Sequence, residues 1–311
     1  MPLFQALKLC PQAVVVGGHY EEYIKNSRKV FSIAARYSPK VEQIGIDEAF
    51  LDFSGTDWIY PNLTDVAKKI KEEIEKEVGI TASIGIAATK VVAKVASDFQ
   101  KPDGLTYVEE GCEKEFLAPL PIGDLPGIGE KMEEYFHRLG VKTLGELANT
   151  PFEKIQASGK FAINLWEAAN GVDTLWFQPR TEVKSVSRSE TFAKNSSSLK
   201  FILAMVQALT ERVGEEMRRG GYQGRCVHVT IRYNNFTTIS RQKVLPYPTA
   251  CTKEGYEIAE KLLIELWDGQ TPLRLVGVGV SQFARLPARQ GEITQPSLFN
   301  GVREKRLELE K

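Results

Sequence analysis

The sequence predicts a mixed α/β chain of several domains. Three observations carry this. The chain has 311 residues, 42% apolar and 26% charged, enough for two or three separate cores. Strand-like and helix-like segments alternate in two blocks, 13–117 and 179–288. Between them, 118–178 reads as short helices joined by glycine turns.

Taken in order, residues 3–9 read as the end of a helix closed by Pro11, and "AVVVGG" at 13–18 as a buried strand. Tyr20–Tyr37 has apolar residues near helical spacing at Tyr23, Ile24, Val30, Phe31, Ile33 and Ala34, and stops before Pro39. "VEQIGIDEAFLDFSG" at 41–55 reads as two strands meeting at Asp47 and Glu48. Asp65–Val78 is amphipathic, with Val66, Ile70, Ile74 and Val78 inward, and closes at Gly79. A strand follows at 80–87, then a helix over Lys90–Phe99 ahead of "QKPDG". The second block reads strand (183–192), helix (199–219), strand (225–233), strand (237–244), helix (252–267), strand (273–283). From Gln290 the tail is polar apart from Leu298 and Phe299.

Composition narrows the function classes. No apolar run is long enough to span a membrane, and the early apolar stretch lacks the flanks of a signal peptide, so a cytoplasmic protein is expected. Cys10, Cys112, Cys226 and Cys251 are scattered, and His19, His137 and His228 are the only histidines, which argues against a zinc site or disulfide framework. Net charge is zero overall, but 181–290 holds sixteen basic against ten acidic side chains. One basic block in a neutral chain suggests a polyanion partner for that block, or a solvated surface that carries arginine.

Asp47 and Glu48 pose the sharpest question, because neighbours on a strand point to opposite faces. A hairpin turn with the two acids at its centre removes the contradiction. Adjacent carboxylates repel unless a cation sits between them, and hard divalent ions take such oxygen ligands together with substrate phosphates and water. Ions held about 4 Å apart clamp an attacking hydroxyl and a leaving group. The bland alternative is an exposed turn, where Asp is common.

The wider stretch "GIDEAFLDFSG" resembles the palm motif of the Y-family, translesion DNA polymerases, and within them the bacterial DNA polymerase IV group. The resemblance runs through "TASIGIAATKVVAKVASDFQKPDG" to "LPGIGEK" and covers nearly the whole chain. It implies a palm (a ferredoxin-like sheet with helices) over 13–117 after the end of the fingers at 1–12, a helix-hairpin-helix thumb over 118–178, a little-finger α/β sheet domain over 179–288 and a tail over 289–311. It also implies that Asp47 and Glu48 are catalytic, metal-binding carboxylates for two Mg²⁺ ions, and that Lys101 pairs with the phosphates of the dNTP substrate. Gly45 stands where the family usually has serine, a departure expected to be tolerated. A family strand with a further metal-binding aspartate, and most of the fingers, have no counterpart in the sequence. Little or no activity is therefore expected of the chain by itself.

Beyond the acids, "LPGIGEK" turns tightly at Gly127 and Gly129, with Ile128 between them and Lys131 nearby. Amides at the start of the next helix suit a phosphate without reading sequence, though a plain helix connection would use the same glycines. In the basic block Lys184, Val186, Arg188 and Glu190 share one strand face, His228, Thr230 and Arg232 share another, and Arg241 and Lys243 alternate likewise. The expectation is a sheet with one free basic face against primer-template DNA, where the resemblance places Lys184, Arg188 and Arg274. Gln295, Leu298 and Phe299 in "QPSLF" resemble the peptide by which bacterial polymerases dock on the sliding clamp.

These features predict an error-prone, lesion-bypassing DNA polymerase, monomeric, that joins a deoxynucleotide to a primer end. Two alternatives stay open: a non-catalytic DNA- and clamp-binding fragment of such a polymerase, and a nucleotidyl cyclase or hairpin-bearing repair enzyme.

Overall fold

The structure, a computed structural model, describes residues 1–172 and 183–285. The chain divides into two units, Met1–Thr181 and Glu182–Lys311.

In the first unit α1 spans Leu3–Leu9 and α2 spans Tyr20–Tyr37. An antiparallel pair follows, β1 (Val41–Gln43) and β2 (Ala49–Leu51), with Val41 opposite Leu51 and Gln43 opposite Ala49. Next come α3 (Leu63–Val78), β3 (Ile84–Ile86), α4 (Lys90–Phe99) and β4 (Leu105–Tyr107). The last three form a β–α–β unit in which β3 and β4 run parallel. Asn62 caps α3 through its side chain, which accepts from the Thr64 amide at 2.9 Å. The apolar stripe of α3 buries Val66, Ile70 and Ile74 against Ile33 of α2.

Among the described residues five short α-helices follow, α5 (Glu113–Leu117), α6 (Glu130–Arg138), α7 (Leu144–Ala148), α8 (Phe152–Gln156) and α9 (Lys160–Ala169), with a 3-10 turn at Ile122–Asp124. A capping box starts α7, where Thr143 accepts from the Glu146 amide and Glu146 returns to the Thr143 amide. The division expected at 117/118 crosses a single apolar core. Val92, Val95 and Ala96 of α4 belong to the same cluster as Leu117, Phe136, Leu144 and Leu165. A packed helical platform therefore carries α4 from behind.

One expected strand is absent. Residues 13–18 have no regular structure, and Val14, Val15 and Val16 are exposed. A strand needs a ladder partner for its amides, and none of the described strands pairs with this run.

The second unit is a four-stranded antiparallel sheet in the order β5 (Ser185–Ser196), β8 (Leu273–Arg285), β6 (Tyr222–Tyr233), β7 (Thr238–Thr249). Two helices, α10 (Leu199–Gly220) and α11 (Thr252–Leu266), cover one face. Val227, Val229 and Ile231 of β6 and Val276, Val278 and Val280 of β8 pack under them, all nearly or fully buried.

Candidate active site

The acids lie in the second half of a five-residue connection rather than at the centre of a two-residue turn. Ile44 and Gly45 both donate their amides to the Glu48 carbonyl, at 3.0 and 3.3 Å, so the ladder closes at Glu48 and Asp47 sits in the loop. Asp47 is exposed and Glu48 half-buried. A Cβ added at Gly45 would stand 3.2 Å from Asp47 Oδ1, which places the glycine directly beneath that carboxylate.

Helix α4 grips this connection. Lys90 Nζ binds both carboxylate oxygens of Glu42 on β1, at 3.0 and 2.8 Å, and lies over the Phe50 ring of β2 at 4.9 Å. One turn later Lys94 Nζ donates to Glu48 Oε1 at 2.8 Å and to Asp98 Oδ2 at 2.7 Å. Asp98 in turn pairs with the ammonium of Lys101. The structure thus brings Glu48 and Lys101, predicted as site residues, onto one surface through the line Glu48–Lys94–Asp98–Lys101. Burial pulls the Lys94 ammonium down, but its bonds to Asp98 and Glu48 outweigh that and hold it above the usual lysine range. Burial likewise pushes Asp98 up, and its bonds to Lys101 and Lys94 bring it below the usual carboxylate value.

Lys94 and Asp98 were not among the residues expected from the sequence. A signal was present in "KVVAKVASDF": the charges recur every fourth residue, opposite the stripe of Val92, Val95 and Ala96. Lys71 was also missed. From α3 it reaches the far side of the loop that carries Lys101.

At the glycine turn, Gly127 has φ 99° and Ile128 is buried, while Gly129 precedes the first residue of α6 without any side-chain cap. Gly127, Gly129 and Lys131 are exposed, so the helix start with its uncapped amides is open to an anion. Glu130 and Glu133 occupy the same first turn and oppose one.

In the second unit the basic residues do not gather on the open face. Pairing across the sheet fixes each side: Arg188 lies opposite Val278, Arg241 opposite Val229 and Lys243 opposite Val227, all valines of the helix-covered core. Arg188 reaches α10 and pairs with Glu216. Lys184 is exposed beside the start of the same strand, with the parity of buried Val186. The open face carries Ser187, Ser189, Gly277, Gly279, His228, Thr230, Ser240 and Gln242, with Arg232 the one arginine among the expected residues. Arg232 Nε donates to Thr238 Oγ1 at 2.7 Å, and Arg274 stacks over Phe236 at 4.7 Å. The free basic face expected from the sequence is thus a flat, small-residue polar face with cations at its rim. Gln295, Leu298 and Phe299 lie outside the described residues.

Comparison with known proteins places this site in a family. Residues 1–98 match the impB/mucB/samB family model, 183–294 its C-terminal domain and 110–141 its HHH motif. The chain is 39% identical over 295 residues to a DNA polymerase IV of Dehalococcoides mccartyi, covering 94% of this chain and 75% of that one. A DNA polymerase IV of Methanoculleus marisnigri is 35% identical over 296 residues, covering 95% and 82%. Among solved structures, a Y-family DNA polymerase chimera, Dbh-Dpo4(243-245)-Dbh, matches with a TM-score of 0.82 and 25% identity over 92% of this chain and 83% of that one. An insertion ternary complex of Dbh DNA polymerase matches with a TM-score of 0.61 and 26% identity over 92% and 83%. The chain belongs to the Y family of translesion DNA polymerases, DNA-directed enzymes, and within it to the DNA polymerase IV type. Enzymes of this family are in general metal-dependent nucleotidyltransferases.

Proposed function

We propose that Asp47 and Glu48 are the metal-binding carboxylates of the polymerase site and that Lys101 receives the phosphates of the incoming dNTP. The observation that carries this reading is the line from Glu48 through Lys94 and Asp98 to Lys101, which puts the acid turn and the phosphate cation on one surface. The donor set fits Mg²⁺, which is commonly held by one or two carboxylates with substrate phosphates and water completing its shell. Among the described residues no group of three acidic, histidine or cysteine side chains is placed to hold a metal ion, and in this reading substrate phosphates and water would join the two carboxylates. Two Mg²⁺ ions, when bound, supply activation of the primer hydroxyl and neutralisation of the leaving pyrophosphate. The chain's own part is positioning. Lys90 and Lys94 fix the acid turn against α4, and Lys101 holds a triphosphate in line with it.

Primer-template DNA is the partner this reading requires. The uncapped start of α6 at Gly127–Lys131 takes a backbone phosphate, and Lys184, Arg188, Arg232, Arg241 and Arg274 line the rim of the second-unit sheet for others. Solved relatives include a post-insertion binary complex and an insertion ternary complex of Dbh DNA polymerase, which supports this partner. Gln295, Leu298 and Phe299 are assigned to a sliding clamp, and the protein to the cytoplasm as a monomer. No helix among the described residues is long and apolar enough to cross a membrane.

Primer extension by the 311-residue chain and by Asp47→Asn tests the reading. Whatever incorporation the parent shows is expected to fall about a hundredfold or more in the variant. Equal incorporation by both removes Asp47 from the site. A parent that binds primer-template but incorporates nothing points instead to the non-catalytic DNA- and clamp-binding fragment.

A further inference from the structure

We infer that Lys71 is a positioning residue: it sets the posture of the Lys101–Gly104 loop and so presents the Lys101 ammonium to a nucleotide's phosphates. This rests on the reading of Lys101 given above.

The Lys71 side chain is only 16% exposed. Its ammonium donates to the Ala82 carbonyl at 2.5 Å, to the Asp103 carbonyl at 2.8 Å and to the Asp103 carboxylate. That uses all three of a lysine's donors, and every acceptor lies at one end of the loop or on the chain entering β3. Asp103 needs such a hold. Its φ of 56° is left-handed, a conformation a non-glycine residue keeps only when its surroundings over-determine it. Gly104 follows, where a Cβ would stand 2.4 Å from the Gln100 carbonyl, and its amide donates to Ser83 Oγ at 3.1 Å. At the other end Asp98 accepts the Lys101 amide at 3.4 Å through its carbonyl and the Lys101 ammonium through its carboxylate.

The loop is therefore fastened at both ends, and Lys101 itself stays 54% exposed between them. A cation held in place before the ligand arrives costs less ordering on binding. Asp103 is two residues from Lys101, so releasing it removes one of the two fastenings of the backbone that carries the ammonium. Among the described residues Lys71 makes no hydrogen bond or ion pair with the acid turn or with Lys101. Its effect on nucleotide binding is transmitted by the loop backbone.

The test uses the 311-residue chain with mant-dATP as probe in Mn²⁺ buffer, beside amide hydrogen exchange without nucleotide. Lys71→Met is expected to weaken mant-dATP about fivefold to tenfold and to speed exchange at Gly104 at least about tenfold, with Val108, whose amide is held by the Ile86 carbonyl, unchanged. Lys71→Arg restores most of both, since it keeps the charge and the donors. Asp103→Ala, which leaves the Lys71 charge in place, should weaken the probe similarly, and the double variant little further. Lys101→Ala separates the two claims. If it weakens mant-dATP while Lys71→Met does not, the positioning role is overturned and the phosphate role stands. If Lys101→Ala changes nothing, the phosphate role falls. Unchanged Gly104 exchange in Lys71→Met overturns the inference whatever the nucleotide does, including when the parent fails to bind the probe.

Discussion

The two units manage charge in opposite ways. In the first, lysines are spent on carboxylates: Lys90 on Glu42, Lys94 on Glu48 and Asp98, Lys71 on Asp103. These pairs are partly shielded and tie short strands and loops to helices whose other faces lie in the core. In the second, a continuous apolar core under four long strands does that work. Its open face is left to serine, threonine and glycine, with cations at the rim. The lesson is that a charge-rich surface need not be a binding surface. Where strands are short, charges act as fasteners, and where the core is large they are free for a partner.

The largest break in this comparison is expected in the sheet that depends on missing side chains. A Cβ at Gly279 would stand 2.3 Å from the His228 ring and 2.7 Å from the Ser187 Cβ. The ring can turn aside, but the neighbouring strand cannot, so Gly279→Val should cost about 3 kcal/mol by urea unfolding. Hydrogen exchange should place the loss in β5, β6 and β8. A cost near zero would mean that the strands separate more easily than their register implies.

The first unit should be broken by a charge instead. The Lys90 and Glu42 side chains are 19% and 14% exposed, so Lys90→Met removes the cation from a largely shielded pair on β1 and is expected to cost about 2 kcal/mol. The equivalent change in the second unit, Arg188→Ala, breaks the Glu216 pair at an edge where the arginine is 45% exposed, and should cost less than about 1 kcal/mol. Similar losses from both would erase the distinction between fasteners and free charges.

A smaller effect sharpens the DNA side. Arg232 stands on the open face, whereas Arg188 is engaged by α10. The slope of log K for primer-template against log salt should fall by about one unit in Arg232→Ala and by less in Arg188→Ala. The reverse order would mean that DNA draws Arg188 away from Glu216.

Much of this was legible in the sequence, for physical reasons. Helices α2 and α4 stand at the expected residues because a core stripe and a breaker bound each. The acid pair was legible from its place between two strands. The facing of Arg188, Arg241 and Lys243 was misread although the parity was right. Val186 and Phe192 share the side of Arg188, and Ile239 and Leu245 share that of Arg241, so the apolar members mark that side as the covered one. Long cations at an edge strand can sit on the covered side and still reach water, which is why composition alone suggested a basic face. The valines at 14–16 were legible as strand formers but not as unpaired. Pairing is a tertiary property that no run of residues carries by itself.

The smallest expected effect concerns His228, the titratable group that lies flat on the open face. Burial holds its imidazole below the usual histidine value, and among the described residues no acidic group offsets this. The folded chain therefore resists the proton that the unfolded chain takes up near pH 6.5. The unfolded state binds more protons in that range, so stability is full above about pH 6.5 and falls as pH drops through the lowered folded value. His228→Gln keeps a polar side chain over Gly279 without the titration. Urea midpoints at pH 7 and pH 5 should differ less in the variant than in the parent. An equal drop in both would move the acid sensitivity between pH 7 and pH 5 off this face.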